Sequence, residues 1–592
     1  MKKILCLIIL IWGLLAPLTY HPDTKLTLRY PALENGKVWN IYSYLNDHNL
    51  DIPDFHYPPA HYWWLKIHYP ISKFIAGNGF DEWLASGSAQ ASFDLRIMQY
   101  NLATKLPLLI LGLFSGWLIF KIVWKYTNSV DLGKKAALFW YLNPITLYSL
   151  VAMGQNDIVA IALFLLGIYL IDRWWLTALV WGLASGVKNY PIIWSLIFLF
   201  VWEKKIVKLI FKSASVVLVY FLIMLPWLGK DYFVEAVLNS GLSQRMFIAN
   251  IPLGFGKEIL IVPFLLVFLA IKSFSKKKTI NNIALVLVQT CLIILAFSHF
   301  NPQWMLWLMP FLSILLFTEK PVKKVYLPLI TIFVSWLILA LGFDDRFLTW
   351  GLLTPVTPNL INFPSLVELA RNKGFDISTL INLAQTILAG TTIWFLGRKT
   401  KTIDIKNNKI HLKKWWLLIP WFFWIILIVG LNNFKVQKRI DSKVSGKIVL
   451  LSELNQNKWS YDVENGLKYL EFSLDKVKDS SNDKGVLLVR DNSGNEIEKG
   501  FTAYNATPDS WLRVDIPEKM SKAKSLEVEL KEIVDKDQSL KMKVDDNNRL
   551  AINFFSYTKT SIKEIGIKLS FLWWWWTGLV LISFVYIKIK ED

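Results

Sequence analysis

Apolar runs close to membrane-spanning length recur along most of this 592-residue chain, separated by short charged connectors. The composition agrees, because 54% of the residues are hydrophobic and 29 are Trp, which is typical of a membrane protein. Inside a bilayer an α-helix satisfies its own backbone hydrogen bonds, so we expect each run to be helical. The predicted runs lie near residues 4–19, 103–123, 136–152, 158–171, 207–228, 254–273, 280–298, 304–318, 325–342, 379–397, 415–432 and 571–588.

Lysines cluster in the connectors of a chain whose net charge is +20. Such clusters mark the cytoplasmic side of a membrane protein, whereas nucleic-acid binding requires a basic face on a soluble domain. We therefore expect contact with membrane lipids and no nucleic-acid partner. The clusters are Lys204–Lys205, Lys276–Lys278, Lys323–Lys324, Arg398–Lys401 and Lys413–Lys414.

The positions of these clusters predict a multi-pass protein with both termini in the cytoplasm, in the plasma membrane if the source is a prokaryote. The first run has no small-x-small cleavage site before His21, so we expect a retained helix and not a cleaved signal peptide. The long connectors near 20–100, 229–252 and 343–378 then lie outside the cytoplasm.

Residues 435–568 differ, because polar and apolar side chains alternate there without a run of spanning length. Alternation is typical of strands, and Asn492–Asn495 between two such stretches indicates a hairpin turn. A last helix that opens with Trp573–Trp576 would anchor this part at the membrane interface. We predict a polytopic α-helical membrane domain of about 12–14 segments over 1–432, an extracytoplasmic β-sandwich domain over 433–568 and a C-terminal transmembrane anchor over 569–592.

Two polar islands, Gly154–Asp157 and Gly186–Pro191, interrupt the apolar runs. An Asp or Lys at membrane depth costs roughly 2.5–3.5 kcal/mol on insertion scales, so two islands this close together indicate a site between helices. The second island lies inside residues 175–202, which predicts a re-entrant pair of short helices with Lys188 near its tip.

Each island also has a structural interpretation. Asn156 or Asp157 could cap a helix that starts at Ile158, although a cap explains one polar residue and not the whole run. Lys188 needs an anionic partner in such surroundings, and that partner is either Asp157 or the phosphate of a ligand.

The first external loop begins with His21-Pro22-Asp23 directly after the first helix. A carboxylate at this boundary could act as a general base on a lipid-proximal substrate, and a solvated Asp at a helix end is the alternative. The loop holds five of the seven histidines, but their spacing does not match a compact ligand motif, so no metal is assigned. These histidines are His21, His48, His56, His61 and His68.

A third island, His299–Trp304, lies at a predicted outer turn, where a polar turn in an aromatic belt is the alternative to a binding site. Taken in order, Asn143-Pro144 and the three islands resemble the integral-membrane mannosyltransferases related to the second GPI mannosyltransferase. These enzymes belong to the GT-C class of membrane glycosyltransferases, which use polyprenyl-phosphate sugars. The resemblance covers about residues 1–430 and leaves out the β-sandwich.

This resemblance implies a GT-C-like fold and the transfer of a hexose, which is mannose in that family. The donor would be a polyprenyl-phosphate-linked sugar, and the acceptor a lipid or a cell-surface glycan on the extracytoplasmic side. No cofactor is implied, since the donor arrives as a lipid, and a divalent metal stays open.

The resemblance also implies roles for single residues. Asp23 would be the catalytic base. Apart from the resemblance, negative charge develops on the leaving phosphate, so we expect Lys188 to stabilise it, with Arg245 in the second external loop as a second candidate. Rival carboxylates in the first loop are Asp47, Asp51 and Asp54. The remaining residues expected to bind substrate are Tyr57 (followed by Pro58 and Pro59), Gln155, Asp157, Tyr190, His299 and Gln303.

A buried lysine beside a broken helix also fits a multi-pass transporter or flippase of a lipid-linked or polyanionic substrate. The sequence has no recognisable inverted repeat, and its polar islands fall at predicted external helix ends, which favours the transferase. A non-catalytic scaffold whose β-sandwich binds a surface polymer is the third hypothesis.

Overall fold

In a computed structural model, the described chain is mostly helical up to residue 398 and mostly β-stranded between residues 435 and 559. The predicted run 415–432 lies outside the described residues. The structure describes residues 2–48, 55–239, 245–319, 326–343, 346–358, 360, 363, 365–372, 377–398, 435–439, 447–450, 454, 456–463, 467–473, 475–476, 484–502, 511–517, 519–534, 540–544, 549–559 and 562–588.

The helices follow the apolar runs, with a group of shorter helices in the first loop. They are α1 (Lys2–Leu18), α2 (Pro22–Ala32), α3 (Ile41–Asp47), α4 (Pro59–Ala76), α5 (Phe80–Ala85), α6 (Ser88–Ala91), α7 (Ile97–Thr127), α8 (Val130–Leu142), α9 (Pro144–Thr146), α10 (Asp157–Tyr169), α11 (Trp174–Val187), α12 (Tyr190–Trp202), α13 (Ile206–Met224), α14 (Asp231–Phe233), α15 (Ile261–Phe274), α16 (Ile280–Phe297), α17 (Met309–Thr318), α18 (Tyr326–Leu341), α19 (Leu366–Asn372), α20 (Ser378–Gly397) and α21 (Ile562–Lys588).

Four segments among the described residues are long and apolar enough to cross a membrane: Ile97–Thr127, Ile206–Trp227, Ile280–Phe297 and Ser378–Gly397. The count becomes five if α1 and α2, which meet at a 77° bend, form one broken span. Six further apolar helices have 10–17 residues and are shorter than a straight span requires. The helices indicate a membrane protein, whereas the count of 12–14 segments and the sidedness stay predictions.

Helix α7 is the centre of the helical part, because it contacts α1, α4, α8 and α10. It carries small residues where neighbours approach closely. A Cβ added at Gly116 would lie 2.2 Å from the Tyr141 ring, and one at Gly112 would lie 2.4 Å from the Leu150 side chain. The apolar core between these helices therefore fixes where the ends of α1 and α10 meet.

Two predicted runs differ in the structure. Run 136–152 is interrupted at Asn143, whose side-chain oxygen accepts a hydrogen bond from the Thr146 backbone N–H at 2.8 Å and so starts a new helix. A π-helical turn, Leu147–Ala152, follows. Run 254–273 becomes helical only at Ile261, because β1 (Asn250–Gly254) and β2 (Lys257–Leu260) form a hairpin before it.

The C-terminal strands confirm the alternation seen in the sequence. They form two four-stranded sheets, in the orders β10-β6-β13-β3 and β5-β11-β8-β9, and a three-stranded sheet, β4-β12-β7. The hairpin turn at Asn492–Asn495 is confirmed between β8 and β9, where Arg490 pairs with Glu496 and Gly494 has φ +80°. The strands are β3 (Lys435–Arg439), β4 (Lys447–Leu450), β5 (Lys458–Asp462), β6 (Tyr469–Ser473), β7 (Asp475–Lys476), β8 (Lys484–Asp491), β9 (Glu496–Thr502), β10 (Trp511–Asp515), β11 (Ser525–Val534), β12 (Leu540–Val544) and β13 (Ile552–Lys559).

Side chains of both four-stranded sheets share one apolar core, which includes Trp459, Phe472 and Val528. A sandwich fits this shared core, although the sandwich itself stays a prediction.

The last helix, α21, begins at Ile562, earlier than the predicted anchor 569–592, and packs on α1. The Trp575 indole N–H donates a 2.9 Å hydrogen bond to the Gly13 carbonyl. A Cβ at Gly13 would lie 2.4 Å from Leu579, so the glycine permits this close approach. Lys568 reaches the Pro355 carbonyl at 3.4 Å.

Candidate functional site

Asp23 lies in the first turn of α2, immediately after the bend that ends α1. Its backbone N–H donates to His21 Nδ1 at 3.3 Å, which caps the helix, and its carboxylate Oδ1 lies 3.5 Å from the same nitrogen. The Asp23 side chain is 41% exposed while His21 is buried. His21 therefore fixes the position of Asp23, while part of the carboxylate stays exposed. A carboxylate that takes a proton from a substrate must be accessible in this way.

Gln155 joins the first polar island to Asp23. Its side-chain amide donates a 2.8 Å hydrogen bond to Asp23 Oδ2. Next to it, the Thr24 hydroxyl donates to the Gly154 carbonyl at 2.8 Å. Gly154 has φ +75°, and a Cβ there would lie 2.7 Å from the Thr24 hydroxyl, so this contact between α2 and the island requires glycine.

Asn156 does not cap α10 with its side chain, and the capping interpretation of this island is wrong. The Asn156 amide donates to the Thr27 hydroxyl at 3.0 Å, and its oxygen accepts a hydrogen bond from the Trp64 indole at 3.2 Å. Asn156 thus holds α2 and α4 against the start of α10.

Asp157 is buried and makes contact with the second island and with Trp307, which lies three residues after the third island. Its Oδ1 accepts a 2.8 Å hydrogen bond from the Trp307 indole, and its Oδ2 lies 3.8 Å from Lys188 Nζ. The Tyr190 hydroxyl donates to the Asp157 carbonyl at 3.4 Å, and the Tyr190 ring stacks on Trp307 at 4.0 Å. The first two islands and the 3-10 turn that begins at Pro302 in the third island therefore meet around one buried carboxylate.

Lys188 lies in the predicted break between the two short helices α11 and α12. It has extended backbone angles, φ −145° and ψ 146°, where α11 ends. Its ammonium is 4.0 Å from the centroid of the Tyr57 ring, which also stacks on His61 at 4.3 Å. A cation over an aromatic face is attracted to the ring electrons, so Tyr57 and Asp157 together hold the ammonium.

Asp23, Tyr57, Gln155, Asp157 and Lys188 form what we name the Asp23–Lys188 cluster. Both carboxylates interact electrostatically with the ammonium and with the Tyr57 phenol. His61 borders the cluster and is fully buried. Burial, and then the charge of Lys188, hold the pKa of His61 well below its usual range, so the imidazole is neutral.

Residues of the connector near 343–378 pack beside the first polar island. The Tyr20 backbone N–H donates to the Leu352 carbonyl at 2.8 Å, and the Tyr148 hydroxyl donates to the Leu348 carbonyl at 2.8 Å. Leu348 and Leu352 pack on Met153, the residue before Gly154. This contact limits the access of water to one side of the first island.

Other predicted site residues lie farther out or elsewhere. His299 is exposed, with its ring 6.5 Å from that of Phe343. Gln303 follows Pro302 in a 3-10 turn, and its buried Oε1 accepts no hydrogen bond from the described residues. Arg245 begins a 3-10 turn, Arg245–Phe247, that packs on α15, and the contacts described for the Asp23–Lys188 cluster do not include it.

Of the rival carboxylates, Asp47 is exposed at the end of α3, where its Oδ1 accepts a hydrogen bond from Asn46 at 3.2 Å. Asp51 and Asp54 lie outside the described residues.

Lys105 is a buried residue, next to the cluster, that the sequence interpretation missed. It is a buried lysine on α7, and its ammonium donates to the carbonyls of Thr19 and Ala152, both at 2.6 Å, and of Ala16 at 3.1 Å. These carbonyls end α1 and the π-helical turn, just before Asp23 and Gln155. The available signal was a lysine inside the apolar part of a 31-residue helix, far from Lys121 and Lys125 near the end of that helix.

Among the described residues, no group of three His, Cys, Asp or Glu side chains is placed to hold a metal ion. Comparison with protein-family models and with curated proteins finds no match for this chain. The interpretation of the site therefore depends on its geometry: a half-open carboxylate near an ion pair between a half-buried lysine and a buried aspartate, where helix ends meet.

Proposed function

We propose that this chain is an inverting glycosyltransferase of the GT-C class, which moves a hexose from a polyprenyl-phosphate donor to a lipid or glycan acceptor outside the cytoplasm. The observation that supports it is that an open, oriented carboxylate, Asp23, and a half-buried ammonium, Lys188, lie in one cluster. Such a transfer needs a base for the acceptor and a cation for the departing phosphate.

In the proposed reaction, the Asp23 carboxylate takes the proton of the acceptor hydroxyl. The acceptor oxygen then bonds to the anomeric carbon, while the bond from that carbon to the phosphate oxygen breaks. The polyprenyl phosphate leaves with the bonding electrons. Gln155 orients the base, since its amide occupies one lobe of Oδ2 and leaves other acceptor positions open.

Lys188 is suited to the leaving group because its contact with Asp157 is longer than a hydrogen bond, so its present partners do not use all of its donors. A hydrogen-bonded ammonium–carboxylate pair has a separation of about 2.7–2.9 Å, and Lys188 Nζ lies 3.8 Å from Asp157. The ammonium therefore retains donors for a phosphate oxygen. Negative charge grows on that oxygen as the bond breaks, so a fixed cation stabilises the transition state more than the bound donor.

An assay in reconstituted vesicles separates this proposal from the transporter. Purified protein, a radiolabelled polyprenyl-phosphate hexose and a mixture of lipid acceptors should give labelled product even when the vesicles are made leaky. A transporter would instead require sealed vesicles and would move the label without a new glycosidic bond. Movement of the label across sealed vesicles without a labelled glycoside product would refute the transferase proposal and favour the transporter.

A further inference from the structure

The hairpin formed by β1 and β2 carries apolar side chains that no described part of the chain covers. Ile251 lies directly opposite Ile259 in the antiparallel register, so both side chains occupy the same face. Ile251 is 50% exposed and Leu253 60% exposed. Isolated two-stranded hairpins are only marginally stable in water. The exposed apolar face of this hairpin makes a water environment still less favourable.

The hairpin tip is built to project one aromatic ring. Phe255 is fully exposed and has φ +52°, between Gly254 at +89° and Gly256 at +71°. Left-handed angles at a Phe are strained, and the two glycines supply the rest of the turn without strain. The chain thus accepts a strained residue at its most exposed apolar position.

The hairpin is joined rigidly to α15. The first amide of that helix, Ile261 N–H, donates to the Ala249 carbonyl at 2.9 Å, so the strand pairing runs into the helix without a flexible link. On α15 the exposed large residues recur at helical spacing and form a stripe along one side: Phe264, Val267, Phe268 and Ile271. Apolar side chains are therefore exposed both on the hairpin and on the helix that directly follows it.

Length indicates what covers this surface. Helix α15 has 14 residues, which is about 21 Å at 1.5 Å per residue, against a hydrocarbon core of about 30 Å. The hairpin supplies further apolar surface at the end where the helix is too short. Lys257 and Glu258, with the open strand edges, exclude the hydrocarbon centre, because unpaired backbone groups are not tolerated there.

We infer that the hairpin Asn250–Leu260 is an interfacial anchor that binds membrane lipid, with the Phe255 ring among the acyl chains and Lys257 at headgroup level. Amphipathic elements of this kind place their apolar face about 5–10 Å below the headgroup boundary. Lys257 can extend its ammonium back to the headgroups. The inference does not depend on the proposed transferase activity.

Spin-label depth measurement in lipid nanodiscs tests this inference. The two native cysteines, Cys6 and Cys291, are buried and would be replaced by Ala, and a nitroxide would be attached through Phe255→Cys. We expect the label to be several-fold more accessible to oxygen, which concentrates among acyl chains, than to a water-soluble nickel complex. Glu258→Cys is the matched control on the same hairpin and should show a lower oxygen-to-nickel ratio.

Asn492→Cys, in the exposed β8–β9 turn, gives the ratio for a site in water. A Phe255→Cys ratio equal to that reference would overturn the inference. A label shielded from both reagents would also overturn it, since the hairpin would then pack on another segment of the chain or on another protein. If Phe255→Cys does not fold, Leu253→Cys makes the same measurement.

Discussion

The Gln155 side-chain amide lies 2.8 Å from Asp23 Oδ2, although the two residues are 132 positions apart in the chain. This hydrogen bond connects the start of the first loop with the first polar island. It gives the carboxylate a fixed direction while 41% of its side chain stays exposed. A base that is oriented but not enclosed can reach an acceptor that approaches from outside the helices.

Replacing Asp23 by Asn should lower sugar transfer by about 10²–10⁴-fold, the usual effect of losing a general base. The Asn oxygen can still accept the Gln155 hydrogen bond, so we expect thermal stability close to that of the parent protein. Asp47→Asn is the matched control, because Asp47 is an exposed first-loop carboxylate, and it should transfer at the parent rate. Normal transfer by Asp23→Asn would refute the assignment.

Lys188→Gln should weaken use of the polyprenyl-phosphate donor, by raising KM, lowering kcat or both, with a much smaller effect on the acceptor. If Lys188 served only as the partner of Asp157, a different pattern would follow. Asp157→Asn would then destabilise the protein as much as Lys188→Gln, and the double variant would recover stability. Melting curves of the three variants and donor kinetics distinguish these outcomes.

Lys105→Met should destabilise the protein and reduce transfer together. It leaves the carbonyls of Ala16, Thr19 and Ala152 without the donor that they share, and an unsatisfied buried polar group costs about 1–3 kcal/mol. Lys121→Met on the same helix is the control. The Lys121 ammonium lies over the Trp124 ring, 4.8 Å from its centroid, so its removal leaves the three carbonyls bonded to Lys105. An unchanged melting temperature for Lys105→Met would contradict this role.

Acid should destabilise the first loop through His68. Burial lowers the pKa of His68 from 6.5 to about 4, and its Nε2 lies 2.7 Å from the Thr104 carbonyl. Between pH 6.5 and about 4 the unfolded chain binds a proton that the folded chain refuses, so stability falls as pH falls. The whole effect is at most about 3 kcal/mol.

The measurement for His68 is thermal stability against pH. His68→Gln keeps a donor near Thr104 but cannot titrate, so its loss of stability between pH 6.5 and 4 should be smaller than that of the parent. Parallel curves for the two proteins would show that His68 does not contribute.

Sidedness is tested by cysteines introduced at Asn492 and Asn505. The lysine clusters predict that residues 433–568 face outward, so both cysteines should react with an impermeant thiol reagent in intact cells. Asn505 lies outside the described residues, whereas Asn492 is exposed. Reaction only after lysis would invert the predicted topology and place the base on the wrong side for a donor presented outside.

Local signals in the sequence were sufficient to predict breaks and turns that are marked by charged or turn-forming residues. The break at Lys188, the two short helices around it and the Asn492–Asn495 turn all follow from charged or turn-forming residues within a few positions. Asn143-Pro144 carried a similar signal, because the residue before a proline disfavours helical angles. Apolarity alone extended the predicted run across that break and gave 136–152 as one segment.

Apolarity also failed at residues 254–260, since a short apolar strand and a helix end look alike without a period to separate them. Lys105 escaped notice for another reason. Its partners are carbonyls 89, 86 and 47 positions away. Because every residue has a backbone carbonyl, the sequence does not show which carbonyls will bind the lysine. The Asp23–Gln155 contact is equally non-local. The sequence could therefore identify both residues as candidates, but it could not predict the hydrogen bond between them.

The packing of α21 on α1 means that one of the contacts of α1 can form only late in synthesis. Gly13 and its partner Trp575 are separated by 562 positions, so α1 leaves the ribosome long before α21 is available to pack on it. At about 5–20 residues per second, that interval is on the order of a minute. Until residues 562–588 are made, the side of α1 around Gly13 lacks the Trp575 and Leu579 side chains that pack on it, and a chain that stops before Ile562 would never acquire them.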